Sequence, residues 1–272
     1  MKSPVNEAGY TDVSTIGSES SINVCERMFE TIKGVIFDFD GTLYDNQNIA
    51  LYMVSANPIA TLRIWKERLV RSGFAGRDFL TPDKYYRAFF SELGKACYRP
   101  AERLRAWYFN HYMPRMVRVL KKNYKPRPGL QELLVRIGSS SSPLKASVYS
   151  DYPLLRERME AIGLSIPESI RLYGPESFGA QKPAPRPFLQ IAKSLGLQPE
   201  EILVIGDRED TDGLGALNAG MRFFCLETGR KRYYRLDPYR RKKIDGNMQG
   251  PTLLMYAGVW DGLLSLLLKR IS

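Results

Sequence analysis

Apolar residues in this chain fall into short solid runs separated by longer periodic stretches. Residues 33–38 (KGVIFD) form a β-branched and aromatic run, the pattern of a strand buried on both faces. Residues 144–149 (LKASVY) and 202–205 (ILVI) repeat it, and residues 221–226 are a weaker example. Helical patterns lie between or beside these runs, over residues 129–137, 153–162, 185–195 and 212–219. Pro153 and Pro185 stand where a first helical turn tolerates proline, and Gly163, Gly196 and Gly220 stand where helices end. Strand and helix in alternation predict an α/β core whose parallel sheet is covered on both faces.

Residues 46–127 break this alternation. Their apolar positions recur at helical spacing, as in Tyr85, Phe89 and Leu93 and again in Leu104, Tyr108 and Tyr112. A helical bundle is predicted there, with breaks near Pro58, Gly73 to Gly76, Pro82, Pro100 and Pro114. The aromatic stripe reads as packing rather than as a stacking platform for bases. The longest apolar stretch, residues 253–268, is too short to span a bilayer and carries Asp261, so a C-terminal helix on the core is expected.

Charge sharpens the division. The 272 residues hold 40 Lys and Arg against 29 Asp and Glu, a formal net of +11. Residues 46–127 alone hold 17 basic and five acidic side chains, so the remainder of the chain is nearly neutral. A second cluster, residues 230–243 (RKRYYRLDPYRRKK), carries eight Lys and Arg and one acid. Such surfaces fit a solvated helical face, steering of anionic substrates, or polyanion binding. The polar segment from Met1 to Ser21 lacks the apolar core of a secretory signal. Cys25, Cys97 and Cys225 are too sparse for a disulfide framework or a zinc site, and a reducing cytoplasm is expected. The lone His111 excludes chemistry that needs two histidines.

The chemistry gathers where the strands end. The first runs into Asp38-Phe39-Asp40-Gly41-Thr42-Leu43-Tyr44-Asp45, and the second into Ser150-Asp151. Lys182-Pro183 precedes the helix at Pro185, and the run at 202–205 leads into Gly206-Asp207, followed by Asp210 and Asp212. Open parallel sheets bind ligands at these carboxyl ends. Asp38, Asp40 and Asp207 offer hard oxygens suited to Mg²⁺ rather than zinc. Ser150 supplies a hydroxyl and Lys182 a cation for an anion. Together they describe phosphoryl transfer, with a carboxylate as the covalent nucleophile.

These motifs, in this order, resemble the haloacid dehalogenase-like hydrolase superfamily in its helical-cap branch. The resemblance implies a three-layer Rossmann-like core with an all-helical cap domain inserted after the first strand. It implies a polar tail over residues 1–28, a core over 29–45 and 128–227, and a basic cap over 46–127. A basic loop at 228–250 and a C-terminal segment at 251–272, returning to the core, complete the expected organisation. Asp38 is then the nucleophile and Asp40 the general acid and base. Asp38, Asp40, Asp207 and Asp212 are expected to hold Mg²⁺, while Gly41, Thr42, Ser150, Asp151 and Lys182 bind phosphate. Dehalogenases of this superfamily lack the acid two residues after the nucleophile, so Asp40 favours a phosphatase acting on a small phosphorylated metabolite. A sugar phosphomutase would keep the same residues, and a nucleic-acid-binding protein on the same fold is the less favoured alternative.

Overall fold

The computed structural model describes residues 11–12, 29–55, 61–227 and 255–271. Seven strands form one sheet: β1 (Thr11–Asp12), β2 (Gly34–Phe37), β3 (Lys145–Tyr149), β4 (Arg171–Tyr173), β5 (Ile202–Gly206), β6 (Arg222–Leu226) and β7 (Met255–Gly258). Their order is β1-β7-β6-β5-β2-β3-β4, and every pairing is parallel. The four expected runs supply β2, β3, β5 and β6, with β2 at the centre between β3 and β5.

Alternation along the strands builds the layers. Val35 and Phe37 join Ala146, Val148, Leu203, Ile205 and Phe224 in one buried cluster, while Ile36 joins Tyr149, Val204 and Phe223 in the other. Successive strand residues point to opposite faces, so a strand covered on both sides must be apolar at every position. The result is a sheet between two helical layers, the α/β architecture the sequence predicts.

Between β2 and β3 lie α1 (Ile49–Ser55), α2 (Thr61–Ser72), α3 (Pro82–Cys97), α4 (Ala101–Trp107), α5 (Met113–Asn123) and α6 (Leu130–Ile137). Helix α7 (Leu155–Ala161) follows β3, and α8 (Pro175–Phe178) and α9 (Pro185–Leu195) follow β4. Helix α10 (Leu214–Asn218) precedes β6, and α11 (Trp260–Arg270) follows β7. The aromatic stripe of residues 85–112 is core, since Tyr85, Phe89, Tyr108 and Tyr112 are all buried.

Four readings change. Pro114 does not break the bundle: the chain stays helical from α4 through a π-helical turn at Tyr108–Tyr112 into α5, and that wider turn just before Pro114 accommodates the main-chain bond proline cannot donate. The apolar stretch read as one C-terminal helix is a strand followed by a helix, because an apolar run alone does not distinguish the two. Within the segment read as a polar tail, Thr11 and Asp12 pair with Tyr256 and Ala257, using main-chain bonds that polar residues make as readily as apolar ones. Strand β4 has three residues with no fully buried position, too short and too exposed to register as a run. The break expected at Pro58, Cys25 and the cluster at 230–243 lie outside the described residues.

Candidate active site

The carboxyl ends of β2, β3 and β5 lie side by side in the sheet, and the polar residues that follow them converge. After Phe37 the chain turns through Gly41, whose φ of +93° lies in the left-handed region open to glycine. A Cβ there would collide with the Asp207 carboxylate, so the glycine is what lets the β2 and β5 loops approach. Gly206 plays the matching part, since a Cβ on it would stand 2.5 Å from an Asp212 carboxylate oxygen.

Lys182 is the hub. Its Nζ donates to Asp38 Oδ1 and to Asp212 Oδ1, both at 2.7 Å, and all three side chains are buried. The second Asp38 oxygen accepts from the Thr42 hydroxyl at 2.9 Å. Carboxylate oxygens of Asp38, Asp207 and Asp212 lie within 4.8 Å of one another. Burial, then the neighbouring Asp212, pushes the Asp38 carboxyl up to about 7, against the pull of Lys182. Burial and the charges of Asp38 and Asp212 likewise raise Asp207 well above the ordinary carboxylate range. Asp212 rises chiefly through burial, and Lys182 is held protonated by its carboxylate partners despite its own burial.

Asp207 Oδ1 is buried without a hydrogen-bond partner, and Lys182 bonds only two of the three clustered carboxylates. Oxygen-only donors, an orphaned buried oxygen and an excess of negative charge fit a hard divalent cation. Asp38, Asp207 and Asp212 are the side chains able to hold one.

Asp40 lies in a different environment. Its Oδ1 accepts from the Tyr44 hydroxyl at 2.7 Å, and its Oδ2 accepts from the Ser150 hydroxyl at 3.2 Å and from the Arg158 guanidinium. Arg158 is fully buried on α7, stacked over Phe39 at 4.7 Å, and also donates to Ser150 Oγ at 3.0 Å. Burial opposes ionisation of Asp40, but the Arg158 charge and these three donors overcome it and hold the carboxyl below its usual range. Two carboxylates two residues apart are thus driven in opposite directions.

The other expected phosphate binders are placed less simply. Thr42 spends its hydroxyl on Asp38. Asp151 accepts the Lys182 backbone N–H at 3.0 Å and so ties two loops together. Ser150 is engaged with Asp40, Arg158 and the Tyr152 N–H. Asp210 pairs with Arg208, as a loop acid, and His111 is exposed on the π-helical turn.

Three arginines were not foreseen as parts of the site. Besides Arg158, Arg127 donates to the carbonyls of Thr42 and Gly41 at 2.6 and 2.9 Å and buttresses the turn after Asp40. Arg71 on α2 donates to the Asp151 carbonyl at 2.8 Å, linking the helical segment to the end of β3. The segment also grips the lysine loop through main-chain bonds: Gly76 N–H to the Lys182 carbonyl, Phe79 N–H to the Gly179 carbonyl, and Gln181 N–H to the Arg77 carbonyl.

A sheet with these residues at its carboxyl end defines a class as well as a geometry. A family model described as haloacid dehalogenase-like hydrolase matches residues 32–220, and the chain belongs to that family. Glyceraldehyde 3-phosphate phosphatase of Pyrococcus furiosus is 23% identical over 227 residues, 76% of this chain and 84% of that protein. Phosphoglycolate phosphatase of Yersinia pestis is 25% identical over 203 residues, covering 74% and 83%. A glyceraldehyde 3-phosphate phosphatase of Methanopyrus kandleri is 40% identical over 63 residues, but these span only 23% of this chain and 26% of that protein. Among solved structures, a 2-haloacid dehalogenase from Pseudomonas syringae pv. Tomato DC3000 superposes with a TM-score of 0.55 at 18% identity, covering 89% of this chain and all of that one. That likeness is one of fold.

Proposed function

We propose that this protein is a Mg²⁺-dependent phosphatase that hydrolyses the phosphate monoester of a small anionic substrate through an Asp38 phospho-enzyme. The observation that carries the reading is Lys182 bridging the buried Asp38 and Asp212 within a cluster of three carboxylates. A carboxylate repels a phosphate dianion unless positive charge is already in place. In this reading Asp38, Asp207, Asp212 and the main-chain carbonyl of Asp40 hold Mg²⁺, which when bound offsets the charge of nucleophile and phosphate alike.

Lys182 and Thr42 each hold one oxygen of Asp38, which fixes the plane of the nucleophile. A carboxylate oxygen bonds to phosphorus as the ester P–O bond breaks, and Asp40, which takes up a proton with the substrate against the pull of Arg158, passes it to the departing alkoxide. Asp40, now ionised, takes a proton from the water that cleaves the phospho-enzyme and returns Asp38. Arg158, Ser150 and Tyr44 favour that ionised form, which suits the hydrolytic half of the cycle. The helical segment of residues 46–127 acts as the cap that shields this exchange from bulk water.

The relatives named for glyceraldehyde 3-phosphate and phosphoglycolate support a small phosphorylated metabolite as substrate. The sparse cysteines, of which Cys97 and Cys225 are not in disulfides, support a cytoplasmic setting. The test is phosphate release by the purified full chain with Mg²⁺ from a panel of phosphorylated metabolites and an aryl phosphate. Release from at least one, lost in Asp38→Asn, is the expected result. Failure on the whole panel, or retained turnover in that variant, overturns the proposal.

A further inference from the structure

Helix α2 is turned inside out. Its buried face carries Ile64, Glu67 and Arg71, while Leu62, Trp65 and Leu69 face outward with relative exposures of 61, 58 and 56%. These three lie at spacings of three and four residues, so they form one continuous ridge along the helix. An amphipathic helix ordinarily buries its apolar stripe and exposes its charges. Here the Glu67–Arg71 ion pair anchors the helix from within, and the apolar stripe is left for something outside.

The surroundings of the ridge narrow down what that is. Lys66, between Leu62 and Leu69 on the helix surface, stands 5.3 Å from the ring of Tyr98. Tyr98 ends α3 with a left-handed φ of 53°, and 88% of it is exposed. A tyrosine held in that backbone region with its ring in solvent extends the patch sideways. Arg63 stacks on Trp107 at 5.0 Å along the other flank, and the exposed Arg99 follows Tyr98. Glu67 is consumed inside by Arg71, and the nearby Glu92 is paired with Lys95. The patch is therefore leucine and tryptophan at its crest, tyrosine at its margin, and unopposed cation around it.

A second copy of this chain is a poor fit. A two-fold contact through this face sets Arg63, Lys66 and Arg99 against their own counterparts. The segment of residues 230–243 is itself strongly basic and is repelled in the same way. A crest of Leu and Trp with Tyr, Lys and Arg at the rim matches a lipid interface instead. There apolar chains enter the acyl boundary, aromatic rings sit at headgroup level, and long basic side chains reach back to anionic headgroups. We propose that the outward face of α2, with Tyr98, docks this protein onto an anionic lipid bilayer surface. No helix among the described residues is long and apolar enough to cross a membrane, so this is attachment and not insertion.

The test is flotation of the full chain with vesicles of phosphatidylcholine alone and with vesicles in which about a third of the lipid is phosphatidylserine. Binding is expected on the anionic vesicles, at least about tenfold stronger than on the neutral ones, and weakened on raising salt from about 0.05 to 0.5 M. The triple variant Leu62→Ser, Trp65→Ser, Leu69→Ser removes only exposed side chains, so its melting profile and its turnover of soluble substrate stay as in the parent while vesicle binding falls at least about tenfold. Arg63→Gln with Lys66→Gln keeps the crest and loses the preference for anionic lipid. Absence of parent binding, or undiminished binding by the triple variant, overturns the proposal. Binding to poly-glutamate without binding to vesicles reassigns the face to an acidic protein. A dimer in the parent that the triple variant abolishes reassigns it to a second copy.

Discussion

Two ionic clusters, one at the sheet and one buried in the helical segment, both set acids against a basic side chain, but to opposite ends. In the segment, Arg71 meets Glu67 at 2.5 and 2.8 Å, and also donates to the hydroxyls of Tyr108 and Tyr85 and to the Asp151 carbonyl. The other Glu67 oxygen accepts from Tyr112, so both its oxygens and the guanidinium are satisfied. At the sheet, Lys182 pairs with Asp38 and Asp212 alone, and the neighbouring Asp207 keeps an oxygen with no partner. Burying charge is costly unless it is paired and hydrogen-bonded. The saturated cluster therefore serves architecture, and the unsaturated one stores a demand for positive charge that substrate chemistry can use.

The sharpest way to break this contrast is to neutralise one acid in each cluster. Asp38→Asn should lower turnover by at least about 10⁴-fold. It should leave the unfolding midpoint unchanged or raised, because it removes one of several crowded negative charges. Glu67→Gln should do the reverse. It strands Arg71 and costs about 3–5 kcal/mol of stability, while turnover per folded molecule stays within a few-fold. Denaturant unfolding alongside phosphate release reads both, and an exchange of the two phenotypes would remove the distinction.

A smaller effect is expected at Arg158, which reaches the site from α7 and is paired through both terminal nitrogens while its Nε lacks a partner. Arg158→Lys keeps the charge and loses the fork that holds Asp40 and Ser150 together. Turnover of an alkyl phosphate should fall about 10- to 100-fold, and that of an aryl phosphate, whose leaving group needs no proton, should fall less. Equal losses on the two would reduce Arg158 to a structural residue.

The smallest effect concerns pH in the absence of metal. Asp38, Asp207 and Asp212 have folded-state pKa values raised above those of the unfolded chain, so the folded state binds more protons. Their contribution to stability is greatest below the unfolded carboxylate range and is lost as pH rises toward the Asp38 value of about 7. In chelator, the melting temperature should fall by on the order of 5 °C between about pH 5 and pH 8. Mg²⁺ should recover more of it at the higher pH.

The legible part of the molecule was its local part. Strands β2, β3, β5 and β6 announce themselves by solid apolar runs, and Asp38, Asp40, Ser150, Asp207 and Asp212 follow such runs at short range, while Lys182 stands just before the helix at Pro185. What the sequence hides is long-range pairing. Arg158 is 118 residues from Asp40, Arg127 is 85 from Thr42, and Arg71 is 80 from Asp151. In a segment with 17 basic residues, nothing local marks Arg71 or Arg127 as different from its neighbours. The inversion of α2 is hidden for a similar reason, since its apolar spacing looks the same whichever way the helix faces. Thr42 and Asp151 were read as phosphate binders from their places in motifs, while their hydrogen bonds serve Asp38 and Lys182.

The main-chain bonds between Gly76 to Phe79 and Gly179 to Lys182 give this architecture a safety catch. The strip of backbone that fastens the helical segment also carries the lysine that bonds Asp38. In the proposed cycle, lifting the segment to let a substrate in or a product out would strip those bonds from the lysine loop and slacken its hold on Asp38. The charge needed for attack would then be assembled only with the lid down, and an open molecule would expose a disarmed carboxylate to water.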